Sequence, residues 1–137
     1  MAEKAGKQKK PARRSSRQPS DEVSAVVGVG VCAASFRALL ALFAGMDDGP
    51  EVAYVIAVRQ QDGLSVDTVV EALKSQSRRS ITKAKTGDRL QAGHVYVGGG
   101  TEIITITDGH IATRPSKEPA AHRGTIDSLL ISLAEHA

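Results

Sequence analysis

Two short apolar runs, each followed by residues at helical spacing, constrain the fold of this chain more than any other feature of its sequence. The first run is Val26–Val31, and the second, Val52–Val58, is unbroken, as is typical of a parallel strand covered on both faces. Between them, apolar residues fall at i, i+3, i+4 and i+7, which is the spacing of an amphipathic helix: Phe36, Leu39, Leu40 and Phe43. This alternation predicts an α/β fold with a parallel sheet.

The middle of the chain continues the pattern with a second helix and a third strand. Ser65 is placed to cap the start of this helix, whose apolar face has helical spacing: Val66, Val69, Val70 and Leu73. The segment Ile81–Ala92 is polar and predicts an irregular connection. It leads to a strand at His94–Val97.

The last part of the chain predicts a hairpin and a third helix. Asp108-Gly109 separates two β-prone segments, 102–107 and 110–114, and is a two-residue signal for a type I′ turn. After a loop that contains proline, apolar residues again have helical spacing: Ile126, Leu129, Leu130 and Leu133. We therefore expect a three-layer, Rossmann-like α/β fold, with a parallel sheet and a β-hairpin. In such sheets ligands bind at the carboxyl ends of the strands.

The composition predicts one core and excludes several classes of site. Of the 137 residues, 41% are apolar and only 3% are aromatic, so a base-stacking platform for single-stranded nucleic acid is not expected. Cys32 is the only cysteine, which excludes an internal disulfide and a paired-cysteine zinc site and favours a reducing, cytoplasmic setting. Four histidines lack the spacing of metal ligands: His94, His110, His122 and His136. Neither a metal nor a cofactor is expected.

The positive charge of the chain is concentrated in its first residues. Lysine and arginine dominate residues 1–20, whereas residues 21–137 are mildly acidic. We interpret residues 1–22 as a disordered basic tail and residues 23–137 as the folded domain. The tail is either a solubilising leader or an electrostatic contact to an anionic surface. No membrane span is expected, because Arg37 would lie near the middle of the apolar stretch at a cost of about 2.5 to 3.5 kcal/mol.

The turn after the first strand admits a nucleotide-binding interpretation. Gly28, Gly30 and Ala33 satisfy the loose pattern G-x-G-x-x-A, which lets a backbone approach a pyrophosphate at a helix N-terminus. At the end of the second strand, where a dinucleotide site usually has an acidic residue, the chain has Arg59, which suits a 2′-phosphate instead. An NADP-like binding module is therefore one alternative.

Several segments together resemble the CheB-type protein-glutamate methylesterases of chemotaxis. VVGVGVCAASFRALLALFAGM is similar to the family's opening VVGIGASAGGLEAL, and VAYVIAVRQ is similar to its second strand, which ends in Gln-His. AGHVYVGGGTEIITITDGHIATRPS and HRGTIDSLLISLAE resemble two later segments of the family, in the same order. The resemblance covers about residues 25–137.

This resemblance implies a serine-hydrolase site, in which a histidine base activates a serine and an aspartate orients the histidine. The chain departs from this site at each position. Cys32 stands at the position of the nucleophile, and Arg59 stands at that of the base. An arginine cannot accept a proton at neutral pH. The family's aspartate lies beyond the segment that matches this chain's last helix, so we expect a sheet that is incomplete at the C-terminus.

Two classes of function follow from the resemblance. In one, the chain is a methylesterase that hydrolyses glutamate methyl esters on chemoreceptors, with Cys32 as nucleophile and a base supplied by a partner. In the other, it is an impaired or non-catalytic regulatory protein that binds a methyl-accepting chemoreceptor or a related signalling protein. The incomplete sheet has three explanations: a truncated copy of the domain, a second chain that completes the sheet, or a homodimer that closes it between chains.

Overall fold

The computed structural model describes residues 23–46, 51–60, 63–116 and 124–136, and strands and helices alternate in the first half of the chain, as the sequence predicts. The predicted basic tail, residues 1–22, lies outside the described residues. In chain order the elements are β1 (Ala25–Val31), α1 (Phe36–Gly45), β2 (Val52–Val58), α2 (Val66–Gln76), β3 (Ser80–Lys83), β4 (His94–Gly99), β5 (Glu102–Thr107), β6 (His110–Pro115) and α3 (Thr125–His136).

Four strands form a parallel sheet in the order β1, β2, β4, β3. The two central strands, β2 and β4, are almost entirely buried, as their apolar sequences require. Within the described part of the chain, β1 and β3 are the edges of this sheet.

Helices α1 and α2 cover one face of the sheet. Alternate residues of β2, Tyr54, Ile56 and Val58, share a core cluster with Leu39 and Phe43 of α1 and with residues of α2. The other residues of β2 are buried on the opposite face with the hairpin and α3: Ala53, Val55 and Ala57. This alternation along one strand gives three layers, so the predicted three-layer α/β fold is confirmed.

The hairpin and α3 form the third layer together. β5 and β6 pair antiparallel around a two-residue turn in which Asp108 and Gly109 both have positive φ angles, 51° and 76°, as a type I′ turn requires. Ser132 of α3 accepts a hydrogen bond from the Ile106 backbone N–H at 3.0 Å and donates one to the Leu129 carbonyl at 2.8 Å. This buried hydroxyl joins α3 to β5.

Two local predictions had different outcomes. The cap at Ser65 is confirmed, because its hydroxyl accepts a hydrogen bond from the Thr68 backbone N–H at 3.2 Å. The irregular segment predicted from Ile81 was wrong at its start, where β3 pairs with β4. Ile81 is the only buried residue of β3, so the strand has too little apolar sequence to be recognised. None of the described helices has both the length and the apolar character that a membrane crossing needs.

Candidate active site

The candidate site residues lie where the three longest parallel strands end. Val31, Val58 and Gly99 are opposite one another in the register of β1, β2 and β4. Neighbouring strands are about 4.8 Å apart, so the residues that follow, Cys32 and Arg59, begin side by side at the carboxyl edge of the sheet. The Arg59 backbone N–H donates a hydrogen bond to the Val31 carbonyl at 2.8 Å, which extends this pairing to Arg59 itself.

Cys32 is held at the start of a tight turn. Its backbone is extended, with φ −131° and ψ 177°, and a 3-10 turn at Ala33–Ser35 follows before α1 begins. The Ser35 hydroxyl accepts a hydrogen bond from the Cys32 backbone N–H at 3.0 Å, and the Ser35 backbone N–H donates one to the Cys32 carbonyl at 3.1 Å. These reciprocal bonds fix the direction in which the cysteine leaves the strand.

The surroundings of the Cys32 thiol favour its ionised form. Its sulfur lies 3.7 Å from the Ser35 hydroxyl oxygen. This hydroxyl holds the pKa of Cys32 below its ordinary value, and the backbone N–H groups of Ser35 and Ala34 act in the same direction. The charge of Arg59 lowers the pKa further, by a smaller amount. A half-buried thiol with hydrogen-bond donors and a cation nearby is typical of a cysteine that can act as a nucleophile.

Arg59 is exposed and contributes charge to this site, but it cannot serve as its base. The guanidinium group has no lone pair available to take a proton from a thiol or from water at neutral pH. It is able to pair with a carboxylate, in two parallel hydrogen bonds. The two residues therefore supply a thiol with a lowered pKa and an anion-binding cation, and neither of them supplies the proton acceptor that ester hydrolysis needs.

The two histidines whose side chains the structure describes lie at the other end of the sheet. His94 begins β4 and stacks on Tyr96, with 5.7 Å between the ring centroids. Five residues of a strand separate it from the carboxyl edge, a distance of about 16 Å. His110 follows the hairpin turn, where its Nδ1 lies 3.0 Å from the Asp108 carbonyl oxygen. His122 lies outside the described residues.

A polar cleft opens between the carboxyl ends of β3 and β4 and the start of α2, and it was not predicted from the sequence. Its volume is about 310 Å³, and its lining includes Gln60, the N-terminus of α2 from Ser65, and residues 98–102. Gly99 has a φ angle of 98°, and the Gly100 backbone N–H bonds to the Val58 carbonyl at 2.8 Å, so the chain turns sharply here. The run of three glycines at the end of a buried strand is the signal that would have indicated this cleft.

The glycines of the nucleotide-like pattern have a structural explanation. A Cβ atom at Gly28 would overlap Leu133 of α3, and one at Gly30 would overlap Ile126. Both glycines therefore let α3 pack closely on β1, which explains their presence without a bound pyrophosphate. Among the residues that the structure describes, no group of three His, Cys, Asp or Glu side chains is arranged to hold a metal ion.

Comparison with known proteins gives one family and a matching fold. The sequence model of the family described as CheB methylesterase matches residues 27–137. Among solved structures, the chain is similar to the crystal structure of the CheB methylesterase catalytic domain of Thermotoga maritima, with a TM-score of 0.64 and 19% sequence identity. That match covers 80% of this chain and 60% of the Thermotoga chain. No match was found among curated proteins.

Proposed function

The chain belongs to the CheB methylesterase family, and we propose that it is a catalytically impaired member, which recognises a methylated signalling protein but does not turn over its glutamate methyl esters unaided. The observation that carries this proposal is the pairing at the carboxyl edge of the sheet. There Arg59 follows β2 at the place expected for the base, beside Cys32. Neither histidine with a described side chain lies at this edge.

The chemistry of ester hydrolysis explains why this pairing impairs turnover. A Cys32 thiolate is able to attack the ester carbonyl, and the methoxide that leaves needs a proton. Hydrolysis of the resulting thioester then needs a water molecule that has lost a proton to a base. Arg59 neither accepts the proton from water nor readily gives one to methoxide. Arg59 therefore assists neither half of the reaction as an acid or as a base.

The same site supports binding. Arg59 is suited to pair with a carboxylate of an acidic partner. The polar cleft of about 310 Å³ lies at the same edge of the sheet, and its lining includes Gln60, the residue after Arg59. A methyl-accepting chemoreceptor or a related signalling protein, in a cytoplasmic setting, is the partner that the family suggests. The basic residues 1–20 would add attraction to an anionic surface.

A cysteine-dependent esterase is the second candidate, and the lowered pKa of Cys32 favours it. In that case the base and its orienting carboxylate come from another polypeptide. The two candidates differ in one measurable respect. The esterase acquires turnover when its partner is added, whereas the impaired protein does not.

Methanol release from a methyl-glutamyl chemoreceptor substrate tests the proposal. For the folded wild-type protein alone we expect no more than the background rate. Arg59→His places an imidazole beside Cys32, and we expect it to raise the rate by about tenfold, less than the 10²–10⁴ of an oriented base. Arg59→Lys is the matched control, because it keeps the charge and supplies no base at neutral pH.

The double variant Arg59→His, Cys32→Ala separates the outcomes. Loss of the acquired rate in this variant would show that Cys32 is the nucleophile. Multiple turnovers by the unmodified chain, lost on Cys32→Ala, would sink the proposal of impairment and establish a rewired esterase. Circular dichroism of each variant ensures that every rate belongs to folded protein.

A further inference from the structure

Residues 72–87 form a basic segment in a domain that is otherwise acidic. They include five lysines and arginines and no aspartate or glutamate, whereas the rest of residues 21–137 has fourteen acidic and six basic residues. The basic members are Lys74, Arg78, Arg79, Lys83 and Lys85. Such a separation of charge within one domain indicates a surface that meets an anionic partner.

The basic segment follows one edge of the parallel sheet. It begins in α2, passes along β3 and ends just beyond that strand. Its exposed cations are Lys74, Arg78, Lys83 and Lys85. Arg78 precedes β3 and Lys83 ends it, so their backbones are about 16 Å apart in an extended chain. The charges therefore form a stripe along β3 rather than one compact cluster.

The charges of this stripe are available to a partner. Lys83 pairs with Asp67 at 3.0 Å, and this pair is largely exposed. No described acidic side chain forms an ion pair with Lys74, Arg78 or Lys85. Cations are seldom buried within a protein unless they are paired, because burial removes their hydration. The stripe is therefore favoured to stay at the surface, whatever polypeptide lies beside β3.

The uncharged residues of the basic segment indicate the kind of partner. Its bulky apolar residues, Leu73 and Ile81, are both buried, so the stripe lacks the apolar anchors on which protein interfaces and lipid surfaces usually depend. Ser80 and Thr82 are exposed between the cations. Hydroxyl groups among lysines and arginines are typical of contacts to phosphate oxygens. The segment has no aromatic residue on which an unpaired base could stack.

We propose that the basic segment binds the phosphate backbone of double-stranded nucleic acid without reading its sequence. A duplex carries one negative charge per about 1.7 Å of its axis, so a stripe about 16 Å long faces a continuous row of phosphates. The lysines and arginines of residues 1–20 add to the same attraction. This binding does not depend on whether the protein hydrolyses esters.

Fluorescence anisotropy of a labelled DNA duplex tests the proposal with the full chain. At physiological salt we expect a dissociation constant of about 10⁻⁴ to 10⁻⁶ M, equal for duplexes of unrelated sequence. The affinity should fall as salt is added, because binding releases counterions from the duplex. The double variant Arg78→Gln, Lys85→Gln should bind about tenfold more weakly and lower the logarithmic salt slope by about two. Absence of binding, or a double variant that binds as tightly as the wild type, would overturn the proposal.

Arg37→Gln is the matched control for Arg78→Gln. Both replace one exposed arginine, but Arg37 lies on α1, away from β3. Arg37→Gln should leave the affinity and the salt slope unchanged, and circular dichroism should show that each variant is folded. An equal loss of affinity from the two single variants would show that net charge alone matters, and would contradict the assignment to the basic segment.

The basic tail needs a variant of its own, because it also carries positive charge. Lys7→Gln, Lys9→Gln and Lys10→Gln are combined in the full chain, with and without the double variant. The double variant should still weaken binding in this background, as expected for independent sites. If its effect disappears there, the binding belongs to the tail and the proposal is wrong.

Two other polyanions distinguish nucleic acid from the remaining kinds of partner. Phosphatidylserine vesicles and polyglutamate are compared with the duplex at equal concentrations of negative charge. We expect the duplex to bind most tightly, and the double variant to reduce that preference. Tighter binding to the vesicles or to polyglutamate, lost in the double variant, would assign the basic segment to a membrane or to an acidic protein instead.

Discussion

The two edge strands of the parallel sheet, within the described residues, differ in length and in charge. β3 has four residues, of which only Ile81 is buried, and it ends in Lys83, whose ammonium group lies 3.0 Å from an Asp67 carboxylate oxygen. β1 has seven residues and no charge, and α3 packs against one of its faces. A short charged strand resists a further partner, whereas a long uncharged one invites it.

This contrast shows that an edge strand does not have to be rich in apolar residues to keep its place in the sheet. The Lys83–Asp67 ion pair is largely exposed, so it contributes only about 0 to 1 kcal/mol to the free energy of unfolding. The side-chain packing of β3 therefore depends mainly on Ile81. β1 depends on the absence of side chains at Gly28 and Gly30, which admit α3. The two strands should therefore respond differently to added and to removed volume.

The largest expected effect is removal of the side chain that holds β3. Ile81→Ala leaves a cavity in the core shared with α2 and β4, and we expect the free energy of unfolding to fall by about 3 kcal/mol. Urea unfolding, followed by circular dichroism, measures this change. Thr82→Ala, an exposed neighbour on the same strand, should cost far less. Equal losses from the two variants would contradict the dependence of β3 on Ile81.

A smaller loss is expected when volume is added to β1. A Cβ atom at Gly30 would overlap three carbon atoms of Ile126, so Gly30→Ala should lower the free energy of unfolding by about 2 kcal/mol. Gly45→Ala is the control, because no atom lies within 4 Å of the added carbon. If Gly30→Ala unfolds at the same urea concentration as the wild type, α3 does not pack on β1 as closely as the structure indicates.

The smallest expected effect is on the reactivity of Cys32, the residue that follows β1. The thiolate is the form of Cys32 that reacts with iodoacetamide, and its pKa is lowered in the folded protein, so alkylation should reach half its maximal rate at a lower pH than in the urea-unfolded chain. Ser35→Ala removes the largest cause and should move this midpoint upward. Arg59→Gln should move it upward by less.

The unfolded chain provides the reference for this measurement. In urea, the wild type and both variants should share one midpoint, because the hydrogen bonds at the turn are lost. A folded midpoint equal to that of the unfolded chain would show that the Ser35 hydroxyl does not stabilise the thiolate. A larger shift of the midpoint in Arg59→Gln than in Ser35→Ala would show that the charge of Arg59, and not the Ser35 hydroxyl, is the main cause of the lowered Cys32 pKa.

The sequence predicted those parts of the fold whose signals are local. The turn at Asp108-Gly109 requires two positive φ angles, and this pair of residues supplies them cheaply, so the hairpin was found. The unbroken apolar run of β2 is buried on both faces and was equally clear. β3 was missed because its place in the sheet depends on pairing with β4, which lies later in the sequence.

The candidate site was predictable only in part, because some of its contacts join residues that are distant in the sequence. The strand ends and the family resemblance located Cys32 and Arg59, and the parallel register places their backbones side by side. Their catalytic roles stay predictions. The packing of α3 on Gly28 and Gly30, and the cleft beside Gly99, bring together residues that are distant in sequence. No local pattern records such contacts.

The close packing of α3 on β1 also sets an order of events during synthesis. β1 is the first described element to leave the ribosome and α3 is the last, yet Gly28 and Gly30 pack against side chains of α3, among them Leu133 and Ile126. A contact between distant parts of a chain closes a long loop and forms late in folding. The growing chain therefore exposes one apolar face of its sheet until α3 has been synthesised, and in that interval its bare first strand is open to chaperones and to neighbouring nascent chains.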